Sequence, residues 1–223
     1  MIDSRYMRFG LLLLASTAVA GCLGNSNGTA STSGAPGASG YQAEFDRVSA
    51  IAPTSDMPTA IQATYAGQMR ADVTDASAVV GEVVADLNLD VDWTDGQTAN
   101  PFSGTASNFQ GRLSGGDFQA IDGTLTVDPA FPGTISRTVI PSSTVGGFTI
   151  PEVQTGAMNV ALSGQLTQGT DTADTTVTLG GSFLGAGASA AIGAVSGGFS
   201  NAAAPGPSIF DGGIGGTYYL ERQ

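Results

Sequence analysis

The stretch VVADLNLDVDWTDG, residues 83–96, decides the fold class because its hydrophobicity alternates with a period of two. One set of alternate positions is apolar: Leu87, Leu89, Val91 and Trp93. The positions between them are Asp or Asn. Successive side chains of a β-strand point to opposite faces, so this pattern predicts a strand with one buried face and one hydrated face. Asp95-Gly96 then predicts a tight turn.

The same alternation continues from residue 59 to residue 223, broken by glycine, proline and Asp-containing turn signals. It predicts seven further strands, at residues 61–70, 103–110, 118–127, 158–168, 175–184, 189–199 and 215–222. The longer segment 129–151, which contains several prolines, is predicted as an excursion with room for a short strand. Eight strands at this spacing indicate an all-β domain, either a closed barrel or a sandwich.

Alternation has the same period in a soluble barrel and in a membrane barrel, which differ in the face that is apolar. Trp93 is the only tryptophan, and the five tyrosines do not form the two aromatic girdles of a membrane barrel. The sequence ends Leu-Glu-Arg-Gln, without the terminal aromatic residue common in outer-membrane barrels. We therefore predict a soluble barrel, with an integral membrane barrel as the alternative.

The amino-terminal residues predict a lipoprotein. Arg5 and Arg8 precede a short apolar run, which ends in Val-Ala-Gly-Cys at residues 19–22. This ending resembles the bacterial lipobox, which implies that residues 1–21 are a signal peptide and that Cys22 is acylated and anchors the chain in a lipid bilayer. The alternative is an ordinary cleaved signal with an incidental cysteine.

Position 23 is Leu, not the Asp that resembles an inner-membrane retention signal, so we expect outer-membrane sorting. Residues 22–40 are predicted as a Gly/Ser-rich flexible tether, 41–58 as a short lead segment and 59–223 as the barrel.

Composition excludes several function classes. The net charge is −12, and all seven basic residues are arginine. An acidic surface opposes binding to nucleic acid. Without histidine or lysine there is no Ser-His-Asp system, imidazole metal ligand or Schiff base. We predict that the protein is not an enzyme and carries no cofactor.

Three groups of residues were considered as candidate metal or binding sites. Asp90, Asp92 and Asp95 lack the spacing of a calcium loop, so we interpret them as a polar strand face followed by a turn. Asp171 and Asp174 are interpreted as a solvated loop, and no metal site is predicted. Tyr218 and Tyr219 are adjacent, so one should face the core and the other outward.

Several segments resemble the transferrin-binding-protein-like β-barrel lipoproteins. The residues that carry the resemblance are Tyr65-Ala66-Gly67 in the first strand, ADLNLDV at 85–91, FSG at 102–104, FQAIDG at 118–123, LGGSFLG at 179–185, Ala188, Gly193 and SGGF at 196–199. Leu184 stands where the family has an aromatic residue, and Ala186 where it has proline. The resemblance covers residues 59–223 and implies an eight-stranded antiparallel barrel at the cell surface.

Relatives in that family capture host iron-carrying proteins, haem proteins or complement regulators. The resemblance therefore implies an outer-membrane surface lipoprotein whose barrel binds a host or environmental protein, or an iron- or haem-carrying ligand. The alternative is a periplasm-facing structural envelope lipoprotein that captures no ligand. The sequence assigns no residue to ligand binding.

Overall fold

The computed structural model describes residues 38–201 and 208–223. The predicted signal peptide, the predicted lipidation site Cys22 and the predicted tether up to residue 37 lie outside these ranges. Their assignments remain predictions.

Within the described ranges the chain forms one helix and thirteen strands. The helix, α1, is Ala38–Ser49. The strands are β1 Ala60–Asp75, β2 Ala78–Thr94, β3 Phe102–Leu113, β4 Gln119–Ala120, β5 Asp122–Gly123, β6 Leu125–Val127, β7 Thr134–Ile140, β8 Ser143–Val145, β9 Phe148–Ile150, β10 Val153–Gln168, β11 Asp171–Leu184, β12 Ala190–Asn201 and β13 Gly213–Arg222. No helix in the described part of the chain is both long enough and apolar enough to cross a bilayer.

Eight strand positions close into a ring. β1 pairs with β2 and β2 with β3, while the short strands β4, β5 and β6 share the fourth position between β3 and β10. β10 pairs with β11, β11 with β12 and β12 with β13, which pairs back to β1. All these pairings are antiparallel, and the strands do not lie evenly round one axis. The predicted all-β, eight-stranded antiparallel barrel is confirmed.

Seven of the eight predicted segments match one long strand each, and most of these strands extend beyond the predicted bounds at one end or both. The fourth segment, 118–127, is instead divided into β4, β5 and β6, with breaks at residues 121 and 124. The predicted excursion at 129–151 contains β7, β8 and β9. The sequence analysis did not predict α1, although Tyr41, Phe45 and Val48 follow the spacing of a helix face.

The interior of the ring is apolar. Leu87, Leu89 and Trp93 of β2 are buried, as their alternation predicts. The Asp residues that alternate with these apolar residues lie on the outer face of β2. There the Asp90 carboxylate accepts a 2.6 Å hydrogen bond from the Thr64 hydroxyl of β1. Asp92 accepts from Gln62 in the same way. Apolar side chains therefore pack inside, and hydrogen-bonded polar side chains face outward.

Helix α1 covers part of the outer wall. The Tyr41 ring lies 5.6 Å from the Tyr219 ring, and the Tyr41 and Thr217 hydroxyls are 2.9 Å apart. Arg47 forms an ion pair with Glu221 at the end of β13. Tyr41 and Tyr219 belong to a small apolar cluster outside the barrel that also includes Leu184. The wall under α1 is thus shielded from water.

Close strand approach requires glycine at Gly181 in β11. A Cβ there would overlap the carbonyl oxygen of Ile192 and lie 2.6 Å from the hydroxyl of Tyr218. The neighbouring Gly180 has more room, because its nearest atom is the Asn159 side-chain nitrogen at 3.4 Å. Gly181 therefore lets β11 and β12 come together over a buried tyrosine.

We predict that Gly181→Ala lowers the free energy of unfolding by about 2–3 kcal/mol, because the backbone cannot move aside without strain. The matched control Gly180→Ala should change it by less than about 0.5 kcal/mol. Urea denaturation of both variants measures the difference. Equal losses would show that the close approach at Gly181 does not constrain the barrel.

Four tyrosines should make stability fall at alkaline pH. Burial raises the pKa of Tyr41 and of Tyr65 from 10.0 to about 12. Burial, assisted by nearby acids such as Glu44, does the same for the pKa of Tyr219, and burial raises the pKa of Tyr218 further. When the pKa of a tyrosine is higher in the folded chain than in the unfolded chain, its neutral phenol stabilises the fold at every pH below the unfolded-state pKa. This stabilisation is lost as the pH rises through the folded-state pKa.

We therefore expect the free energy of unfolding to decline from about pH 10 to about pH 12. The absorbance of phenolate should appear near pH 10 in the unfolded chain and about two pH units later in the folded chain. The fifth tyrosine, Tyr6, belongs to the predicted signal peptide, so the measurement uses the chain from Cys22 onward. Phenolate formation near pH 10 in that folded chain would contradict the burial of these four rings.

Candidate binding site

The predicted acidic groups take structural roles. Asp95 follows β2 and meets Arg137, with 3.4 Å between its carboxylate and the guanidinium, and Gly96 supplies a turn at φ 82°. With the outward positions of Asp90 and Asp92, this agrees with the predicted polar face and turn. Across the described ranges, no group of three or more His, Cys, Asp or Glu side chains is placed to hold a metal ion.

The interpretation of Asp171 and Asp174 as a loop is wrong, because both lie in β11. The turn before them is short: Gln168 pairs with Asp171, and Gly169 has a φ of 63°. A two-residue turn leaves Asp171 already paired in the ladder. The Asp174 carboxylate accepts a hydrogen bond from Gln165 on β10.

The two adjacent tyrosines point in opposite directions, as predicted. Tyr218 faces the core and Tyr219 faces outward. Tyr219 is nevertheless only 7% exposed, because α1 covers it, and its hydroxyl donates to Gln68. Neither ring forms part of an open surface.

The exposed apolar side chains concentrate in a hairpin arm, which we define as residues 134–156. It comprises β7, β8, β9 and the first residues of β10. Ile140 pairs with Val153 nearer the barrel, and Val145 pairs with Phe148 at the tip. Gly146 and Gly147 form the tip turn with φ values of 60° and 86°, as a type I′ hairpin turn requires. The ten residues of extended chain from 137 to 146 span about 30 Å.

Every residue from 138 to 152 is exposed, so this part of the arm does not rest on the barrel. At the tip, Val145, Phe148 and Ile150 lie on one face, with exposures of 68%, 80% and 54%. Thr144 and Thr149 pair on the other face, their hydroxyls 3.4 Å apart. Residues 138–151 carry no charge. Contiguous exposed apolar surface of this kind marks interaction sites.

Arg137 holds the root of the arm against the barrel. Its Nε donates to the Met57 carbonyl oxygen at 2.9 Å, and its Nη2 donates to the Gln154 side-chain oxygen at 2.6 Å. Its third partner is Asp95, and the side chain is only 13% exposed. A guanidinium with its donors fixed in one plane is suited to holding three separate segments together.

Residues 53–57 complete the root on the other side. The backbone N–H of Gln154 donates to Ser55, and that of Met57 donates to Gln154. Met57 fills the core beneath, and Asp56 accepts a 2.9 Å hydrogen bond from the backbone of Gly187. A chain crossing this end of the barrel thus fixes the direction in which the arm leaves.

A groove of about 490 Å³ opens beside the root. Its lining is uncharged and includes Pro53, Ser136, Thr138, Thr155, Ser182 and Ile192. The lining mixes hydroxyl groups with apolar carbon, so it can accommodate a polypeptide segment or a neutral ligand. We call the arm and this groove together the candidate binding site.

The sequence analysis located this segment but did not predict its exposure. Apolar residues of this segment such as Ile140 and Phe148 would by their composition alone be expected in the core. Two features of the sequence could have indicated it. Pro141 and Pro151 interrupt a strand ladder, and Gly146-Gly147 is a hairpin turn signal.

No protein family model, curated protein or solved structure matches this chain.

We predict that Arg137→Ala lowers the free energy of unfolding by about 1.5–3 kcal/mol, because it leaves the Met57 carbonyl and the Gln154 side chain without their charged donor. The control Arg47→Ala removes the exposed ion pairs with Glu44 and Glu221 and should cost less than about 1 kcal/mol. Urea denaturation measures both. If Arg47→Ala cost as much as Arg137→Ala, Arg137 would have no special role at the root.

Proposed function

We propose that this protein is an outer-membrane lipoprotein, held at the cell surface by acylated Cys22, whose barrel binds a protein or an iron- or haem-carrying ligand. The lipobox-like residues 19–22 and the resemblance to the transferrin-binding-protein-like lipoproteins support the anchor and the class. The observation that carries the binding role is the arm, which exposes uncharged residues 138–151 away from an acidic barrel.

The chemistry of the site favours a macromolecular or carrier-borne ligand over a free metal ion. The groove offers hydroxyl groups and apolar carbon, and the tip offers Val145, Phe148 and Ile150. Free iron needs anionic or imidazole ligands, whereas an apolar projecting face is complementary to an apolar pocket. A protein surface provides such a pocket.

The length of chain between Cys22 and the helix limits how far the barrel can lie from the membrane. The chain between Cys22 and Ala38 can span at most about 55 Å. An acylated Cys22 would therefore keep the barrel near the membrane and let the arm reach a partner in the surroundings.

Protease treatment of intact cells tests the location. We expect the full chain to be cleaved on intact cells, and Cys22→Ala to abolish acylation and release the protein from the membrane fraction. Cleavage only after permeabilisation would instead select the periplasm-facing structural lipoprotein. Labelled palmitate entering Cys22→Ala would overturn the assignment of the anchor.

The binding role is tested on the same cells with fluids from their surroundings. Phe148→Ser should weaken the binding of a protein that the wild-type chain retains by on the order of tenfold, because it removes the largest apolar side chain of the tip. Thr149→Ser, on the opposite face of the tip, should retain it. Retention by both variants would place the binding site away from the arm.

A further inference from the structure

We propose that the barrel wall carries a second binding site, which takes a neutral sugar on the outer faces of β10 and β11. A groove of about 400 Å³ opens there, within the usual range of volume for small-molecule sites. Its described lining is Phe131, Pro132, Asn159, Ala161, Thr176 and Thr178. The first five residues of β10 belong to the arm, but none of these six does, so the inference does not depend on which partner the arm binds.

The loop between β6 and β7 holds Phe131 over the barrel wall. The backbone N–H of Asp128 donates to the Ala161 carbonyl oxygen at 2.9 Å, and the Asp128 carboxylate accepts a 2.8 Å hydrogen bond from the backbone N–H two residues later. On the other side of Phe131, Gly133 packs so closely on Phe102 that a Cβ would lie 2.5 Å from the ring. The Phe131 side chain itself is 64% exposed. An exposed ring on a fixed loop loses little conformational entropy when a ligand packs against it.

The floor of the groove offers polar groups that have no side-chain partner on the opposite strand. Asn159 of β10 faces Gly180, and Thr178 of β11 faces Ala161. Neither glycine nor alanine has a polar side chain, and both polar residues line the groove. The Asn159 amide and the Thr178 hydroxyl can each donate and accept a hydrogen bond. They are therefore suited to the hydroxyl groups of a ligand.

An aromatic ring beside neutral hydrogen-bonding groups favours a polyhydroxylated ring as the ligand. The face of Phe131 packs against the C–H groups of a pyranose, while the floor bonds to its hydroxyl groups. An apolar ligand such as a lipid chain would cover those polar groups and leave them without partners, which costs free energy. A peptide strand finds no open backbone edge on β11, because β11 pairs with β10 on one side and with β12 on the other.

The charges around the groove favour a neutral sugar over an acidic one. None of the six described lining residues is charged. Asp174 lies on the same outer face of β11 as Thr176, about 7 Å along the strand, which is within one screening length at physiological salt. An acidic sugar would therefore meet repulsion from Asp174, with no cation among the described lining residues to offset it.

Titration calorimetry with defined compounds tests the inference on the full chain carrying Cys22→Ser, so that acylation has no influence. The probes are neutral tetrasaccharides of glucose, mannose, galactose and N-acetylglucosamine. Tetragalacturonate is the acidic counterpart, and caffeine is an aromatic compound without hydroxyl groups. We expect at least one neutral tetrasaccharide to bind, at least about tenfold more tightly than tetragalacturonate or caffeine.

Two variants at Phe131 separate aromatic stacking from simple apolar contact. Phe131→Tyr keeps the aromatic face and should retain binding, whereas Phe131→Leu keeps apolar carbon and should weaken binding about three- to tenfold. Asn159→Ala should weaken it by about the same factor, because a neutral hydrogen bond is lost. Leu113→Ala shortens an exposed apolar side chain of β3 outside the groove and should leave binding unchanged. Circular dichroism confirms that all variants fold.

Several results would overturn the inference. Absence of binding by every neutral tetrasaccharide at millimolar concentration would show that the groove takes no sugar of these kinds. Binding that Phe131→Leu and Asn159→Ala leave unchanged would place the sugar elsewhere on the chain. Tighter binding of tetragalacturonate or of caffeine would make the ligand acidic or planar aromatic. Surface display and protein capture by the arm do not depend on any of these results, so failure of this inference is distinguishable from failure of the proposed function.

Discussion

The pairing of β1 with β13 is the constraint on which the rest of the structure depends. It joins the first and last strands of the barrel, from Tyr65 opposite Arg222 to Thr74 opposite Gly213. Closure gives the first and last strands of the ring a partner on both sides and encloses the apolar face of the long strands. It also explains the glycines at close approaches such as Gly181, because a sheet that curves into a ring brings neighbouring backbones together.

Closure also determines where binding can occur. The interior holds large buried side chains, among them Trp93, Tyr65 and Phe183, so the barrel acts as a rigid support. The features that can recognise another molecule lie outside, where β7 and the start of β10 leave the ring as the arm. Three segments contact the side chain of Arg137. These contacts hold the base of the arm in one position on the barrel and so fix the direction in which the arm projects. A preorganised apolar tip loses less conformational entropy when it binds.

The candidate site combines residues that the sequence places far apart. Met57, Asp95 and Gln154 belong to three separate segments, and all three contact Arg137 at the root of the arm. Their common position follows only from the barrel topology, which returns the segment before β1, the segment after β2 and the start of β10 to one end. Alternation of hydrophobicity cannot predict which segments meet. It indicates which face of a strand is buried, but not which other segments lie next to that strand in the ring. The helix α1 was missed for a related reason: its apolar face is short and is stabilised mainly by packing on Tyr219 and Leu184.

The sequence by itself determined the all-β class, the approximate strand positions and the inward face of each long strand. Alternate side chains of a strand point to opposite faces, so burial of one face appears in the sequence as a period of two. It also determined the acidity of the outer surface and the missing lysine and histidine chemistry. Only the tertiary structure decided that Phe148 and its neighbours stand in solvent, that Tyr219 is covered, and that Arg137 is the anchor of the arm. These outcomes depend on which segments meet when the ring closes, and contacts between residues distant in the chain leave no periodic signal in it.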